Sequence, residues 1–167
     1  MSYKPVACEM ARYNKWQNES LLGLCDDLSA EELGKDKGLF FGSLLSTLEH
    51  ILYADRTLIG FFTTGVRSAF DPNAGTSENY EAYRADRLAE DAHILSLCTE
   101  AGDNWFEETF EFYSPKLGKT RPTPRWFYAA QMFNHQTHHR SQITSVLHGM
   151  GLDYGNTDVP YNPLSEL

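Results

Sequence analysis

Three of the six histidines in this 167-residue chain fall in one run, Asn134-His135-Gln136-Thr137-His138-His139-Arg140-Ser141-Gln142, inside a stretch with helical periodicity. Residues four apart in a helix lie about 40° apart in projection and about 6 Å apart along the axis. His135 and His139 can therefore aim two imidazoles at one point, a common way for a helix to supply two ligands to a metal ion. His138 is turned about 60° from the first and about 100° from the second, which places it at the rim instead. The pair shares its face with Tyr128, Met132, Ile143, Val146 and Met150, with Gln142 at the edge. Imidazoles on an apolar face need partners for both ring nitrogens. Spacing alone leaves two answers open, a metal ion or a hydrogen-bonded core pair.

Two imidazoles rarely hold a divalent ion well, so a third ligand is needed. The candidate is His50 in Leu48-Glu49-His50-Ile51-Leu52-Tyr53-Ala54-Asp55. Its helical neighbours on the same side are Ser43, Thr47 and Ala54, with Phe61 further on, and the small ones leave room for an ion and a substrate. Three neutral imidazoles would leave coordination positions open, as catalysis requires and a closed structural site does not. His93 and His148 have no partner pattern. Gln136 follows His135, so the His-Glu-x-x-His motif of zinc proteases, with its built-in base, is absent. Asp55 projects near the middle of its helix's apolar stripe and needs a cationic partner; Arg140 or a group on the first helix is expected in a structural ion pair.

Four long helices must position these residues. The first is expected from Lys4 to Leu28, with Met10, Tyr13, Leu21, Leu24 and Leu28 on its inner face. Ser29-Ala30-Glu31-Glu32 has capping-box spacing, so a short extra helical turn follows and Gly38 ends it. The second runs from Phe40 to Thr64, with Gly65 as its stop. Asp71-Pro72-Asn73-Ala74-Gly75 is a loop, and Ser77 is the expected N-cap of a third helix reaching Ala101. Thr109 to Tyr113 partly alternates and Ser114 to Lys119 turns, as a short hairpin or an extended loop would. Thr123-Pro124 opens the fourth helix with proline at its first position, and Gly149 and Gly151 close it. The tail from Asp153 to Leu167 is expected to pack across the helices as coil. Trp126 and Phe133 project away from the histidines, so a further helix or a second subunit must cover them. The expected fold is all-α, one four-helix-bundle domain over residues 1–167.

Composition removes several partners. A net charge of −9 argues against non-specific nucleic-acid binding and against an anionic membrane surface. Apolar stretches are broken well short of a membrane span, and no signal peptide is expected. Cys8, Cys25 and Cys98 are odd in number, far apart and in no CxxC arrangement. They read as inert thiols in a reducing compartment, which places the protein in the cytoplasm.

Three stretches resemble the DinB family, damage-inducible proteins grouped with the YfiT-like metalloenzymes. Tyr13-Asn14-Lys15-Trp16-Gln17-Asn18 is similar to the family's opening helix, and Leu48, His50, Ala54 and Asp55 match its L-x-H-x-x-x-A-D arrangement. Phe133 to Gln142 resembles its NHxTHHRGQ motif, departing at Ser141 where glycine is usual. The resemblance implies a four-helix bundle, a divalent metal on His50, His135 and His139, and frequent homodimers. Related bundles include thiol-dependent enzymes such as mycothiol-dependent maleylpyruvate isomerase and bacillithiol S-transferase. The leading expectation is an S-transferase in which the metal lowers the pKa of a low-molecular-weight thiol and presents it to a small-molecule electrophile. Hydrolysis by metal-activated water, or a non-catalytic metal- or ligand-binding stress protein, are the alternatives. Imidazole ligation suits zinc, nickel or iron.

Overall fold

The computed structural model describes residues 2–65, 77, 79–114 and 117–167. Helix α1 spans Lys4–Cys25, α2 Ala30–Gly34, α3 Leu44–Thr64, α4 Tyr80–Glu100 and α5 Arg125–Gly149. Strands β1, Thr109–Ser114, and β2, Lys119–Pro124, pair antiparallel from Thr109 opposite Pro124 to Ser114 opposite Lys119. The fold is therefore mostly helical but not all-α, because a two-stranded hairpin precedes the last helix.

Local chemistry explains most of the boundaries. Ser29 and Glu32 form the expected reciprocal capping box around α2. Gly65 closes α3 in the left-handed conformation, φ 74°. Helix α3 begins at Leu44 rather than Phe40: Gly42 takes φ 82° in a tight turn bridged to Leu39, and Ser43 then caps the helix by accepting from the Ser46 amide. Helix α4 is capped by Asn79, which accepts from the Ala82 amide, not by Ser77. Pro124 is the last strand residue and the N-cap of α5, so proline stands one place earlier than its usual N1 site. Helix α1 ends at Cys25, three residues before the expected Leu28. The expected loop at Asp71 to Gly75 and the middle of the hairpin turn lie outside the described residues.

Helix α1 packs along α4 and α3 along α5, and the two pairs meet where α1 touches α5 and α3 touches α4. Two apolar clusters result, one around Leu22, Leu48, Leu52, Tyr83 and Leu147, the other around Ala11, Ile59, Phe62, Ile94 and Met132. Phe133 belongs to the second cluster and is covered within the chain, whereas Trp126 stays partly exposed. The tail lies along α1 as coil with one short 3-10 turn: Tyr13 donates to the Thr157 carbonyl, and Gln17 to that of Asn156.

Between the apolar clusters runs a buried polar layer. Each long helix interrupts its inner face with polar residues at helical spacing: Asn14 and Asn18 on α1, Asp55 on α3, Arg87 and Asp91 on α4, Gln136 and Arg140 on α5. Arg87 donates to Asp55 at 2.6 Å and to Asp91 at 2.8 Å. Asn18 donates to Asp91 at 2.9 Å, and Arg140 donates to Gln136 and to Asn14, both at 2.7 Å. Asp55 thus finds its cation on α4, and neither Arg140 nor a first-helix group bonds it. Arg140 is instead consumed by the amides of α1 and of its own helix. Burial pushes the Asp55 and Asp91 carboxyls upward, and the Arg87 guanidinium opposes that shift.

Candidate metal centre

His135 and His139 leave the inner face of α5 one residue before Gln136 and Arg140 and point to a different side, toward α3 and His50. Ring centroids are 5.0 Å apart for His50 and His135, 4.8 Å for His50 and His139, and 4.5 Å for His135 and His139. The Nε2 atoms of His50 and His135 are 3.1 Å apart. One nitrogen from each of the three rings lies within 4.8 Å of the other two, so the trio could hold a metal ion.

The donor set suits a divalent cation. Nitrogens bound to one tetrahedral zinc through bonds of about 2.0–2.1 Å lie about 3.3 Å apart, close to the His50–His135 separation. His139 Nδ1 is 2.8 Å from Gln142 Oε1, and as a donor there it leaves Nε2 as the atom free to ligate. Burial, with the neighbouring imidazole of His139 adding to it, brings His50 down to about 4. Burial also brings His135 down to about 4, helped by the other imidazoles. Burial lowers His139 too, against the opposing Gln142 bond. All three rings are thus neutral at physiological pH, the form that coordinates.

Phe41, in the turn before α3, stacks on His50 at 3.8 Å between centroids and 23° between planes. It lies 5.6 Å from His139. Next to His135 is a cavity of about 280 Å3, lined by Ala54, Thr57, Leu58 and Phe61 of α3, Phe112 of β1, and Tyr128 and Gln131 of α5. Alternation along β1 turns Phe110 and Phe112 inward, so the hairpin supplies a wall. Thr47, expected beside this space, is instead buried with its hydroxyl donating to the Ser43 carbonyl.

His138 is exposed, its ring 4.7 Å from that of His139. His93 and His148 are exposed as well and lie outside the trio. Cys25 and Cys98 are buried, and burial pushes both thiols up to about 12, which leaves them unreactive. Sequence reasoning missed the contributions of Gln142, Phe41 and Phe112. The His139–Gln142 spacing of three was an available signal for the first; nothing local marked the other two.

The sequence model of the DinB family matches residues 1–166. The chain belongs to the DinB family. A crystal structure of a DinB-like protein from Bacillus cereus ATCC 10987 aligns over 84% of this chain and 90% of that one, with a TM-score of 0.61 and 20% sequence identity. That likeness shows a shared fold. No curated protein matches the chain. Among the described residues of this DinB protein, no helix is long and apolar enough to cross a membrane.

Proposed function

We propose that this DinB protein is a single-domain four-helix bundle that holds a divalent cation (zinc, nickel or iron) on His50, His135 and His139, and uses it as a thiol-dependent S-transferase. The observation that carries the reading is the convergence of three imidazoles beside an apolar cavity. His50, His135 and His139 would hold the cation, which would lower the pKa of a bound thiol and so supply a nucleophile at neutral pH.

The chain's own residues do the rest. Gln142 orients His139, and Phe41 restrains the ring of His50 by stacking on it. The walls of the cavity seat the electrophile beside His135. In the transfer, sulfur bonds to the electrophilic carbon as that carbon's bond to the leaving group breaks. The leaving group keeps the electron pair, and the thiol proton passes to solvent. No carboxylate lines the cavity among the described residues, so a general base for hydrolysis is not at hand. The thiol itself rests on the family resemblance. We place the protein in the cytoplasm, and a homodimer would cover the exposed Trp126 and Phe127.

The test is loss of a model electrophile, 1-chloro-2,4-dinitrobenzene, followed with and without added thiols. Turnover should require a thiol and vanish on chelation. Turnover that needs the metal but no thiol would overturn the transferase reading in favour of hydrolysis.

A further inference from the structure

The walls of the cavity beside His135 differ from what a charged substrate would need. Phe61, Phe112 and Tyr128 come from α3, β1 and α5 and meet edge-on around it. Their centroids lie 4.7 Å apart for Phe61 and Tyr128, 5.2 Å for Phe61 and Phe112, and 5.3 Å for Phe112 and Tyr128. Rings so arranged present both edges and faces, the geometry in which a further aromatic ring packs favourably. An apolar cavity of about 150 Å3 takes a benzene ring, so about 280 Å3 takes a substituted ring or a fused pair.

Charge and polarity narrow the guest further. No Lys, Arg, Asp or Glu lines the cavity among the described residues, so away from the histidines a carboxylate or phosphate on the guest would be desolvated without a counter-charge. The net charge of −9 disfavours anions at longer range as well. The polar groups available are neutral. The Thr57 hydroxyl already donates to the Tyr53 carbonyl at 2.9 Å and can still accept, and the Gln131 amide can do both.

We infer that the substrate of this site presents an uncharged aromatic group to the cavity, with a small polar substituent. The ring packs against the cluster of Phe61, Phe112 and Tyr128, and the substituent bonds Thr57 or Gln131. The inference rests on the proposed function for the reaction that follows, but not for the binding itself.

The experiment measures dissociation constants of benzamide, benzoate and cyclohexanecarboxamide by ligand-observed NMR on the full chain, with metal content determined on the same samples. In protein freed of metal by chelation, benzamide should bind about tenfold or more tightly than benzoate, the cost of an unpaired buried charge. It should bind about threefold to tenfold more tightly than its saturated analogue. Phe112→Ala removes one aromatic wall and Thr57→Leu narrows the cavity from α3. Each should weaken benzamide several-fold without changing metal content, and the second keeps the test valid if the first disturbs the hairpin. Benzoate binding the chelated protein as well as benzamide does, or benzamide indifferent to both substitutions, would overturn the inference. Benzamide bound by a protein that carries no metal before chelation would sink the proposed function and leave this inference standing. Metal without benzamide binding would do the reverse.

Discussion

Helix α5 carries two polar pairs at the same four-residue spacing, set one residue apart, and they end in opposite situations. Gln136 and Arg140 turn into the molecule, where side chains from the other long helices complete a polar layer. His135 and His139 turn toward His50 and a cavity, where three neutral imidazoles face one another with no carboxylate among them. The first cluster is bonded from helix to helix within the protein, although Asn14 Nδ2, Asp55 Oδ1, Arg87 Nε, Asp91 Oδ2 and Gln136 Nε2 find no partner in it. The second brings together three imidazoles that could hold a metal ion. One helix thus separates the polar groups that define the packing from the polar groups that can do chemistry.

The polar layer should be the costlier to damage. Arg87 bridges Asp55 and Asp91 with almost no exposure, so Arg87→Ala strands two buried carboxylates. Breaking such a pair costs about 3–5 kcal/mol, which urea denaturation would show as a lowered midpoint. A loss within experimental error would mean that the layer is solvated and the contrast is false.

Gln142→Ala tests the histidine cluster more gently. Loss of a partner that orients a ligating histidine lowers metal affinity about 10–100-fold, measurable by competition with a chromogenic chelator, while stability of the metal-free protein should hardly move. An unchanged affinity would mean that His139 is held by other contacts. His138→Ala should do least of all: metal affinity and unfolding midpoint should match the parent protein, because the ring is exposed and outside the trio. A several-fold drop in affinity would move His138 into the site.

How much of this could be read in advance depended on the range of the interaction. The capping box at Ser29, the glycine stop at Gly65 and the convergence of His135 and His139 are local, and the residue pattern carries them. The start of α3 was misplaced because Phe40 and Phe41 extend an apolar run, and only the positive φ of Gly42 separates them from the helix. The family resemblance and the small residues around His50 named the third histidine before any distance was known. The partner of Asp55 could not be named. Nothing local marks Arg87 as buried, and only the packing of α4 brings it to Asp55. The layer joins polar residues from four helices, and nothing local says that they meet. Phe112 reached the cavity for the same reason, through a hairpin that folds back over α3 and α5.

The central claim is that the histidine cluster holds a metal ion. It is tested most directly by elemental analysis of untagged protein beside a His135→Ala/His139→Ala double variant, with circular dichroism to verify the fold. Stoichiometric metal in the parent and none in a folded variant is the expected result. Stoichiometric metal in the folded variant would contradict the account.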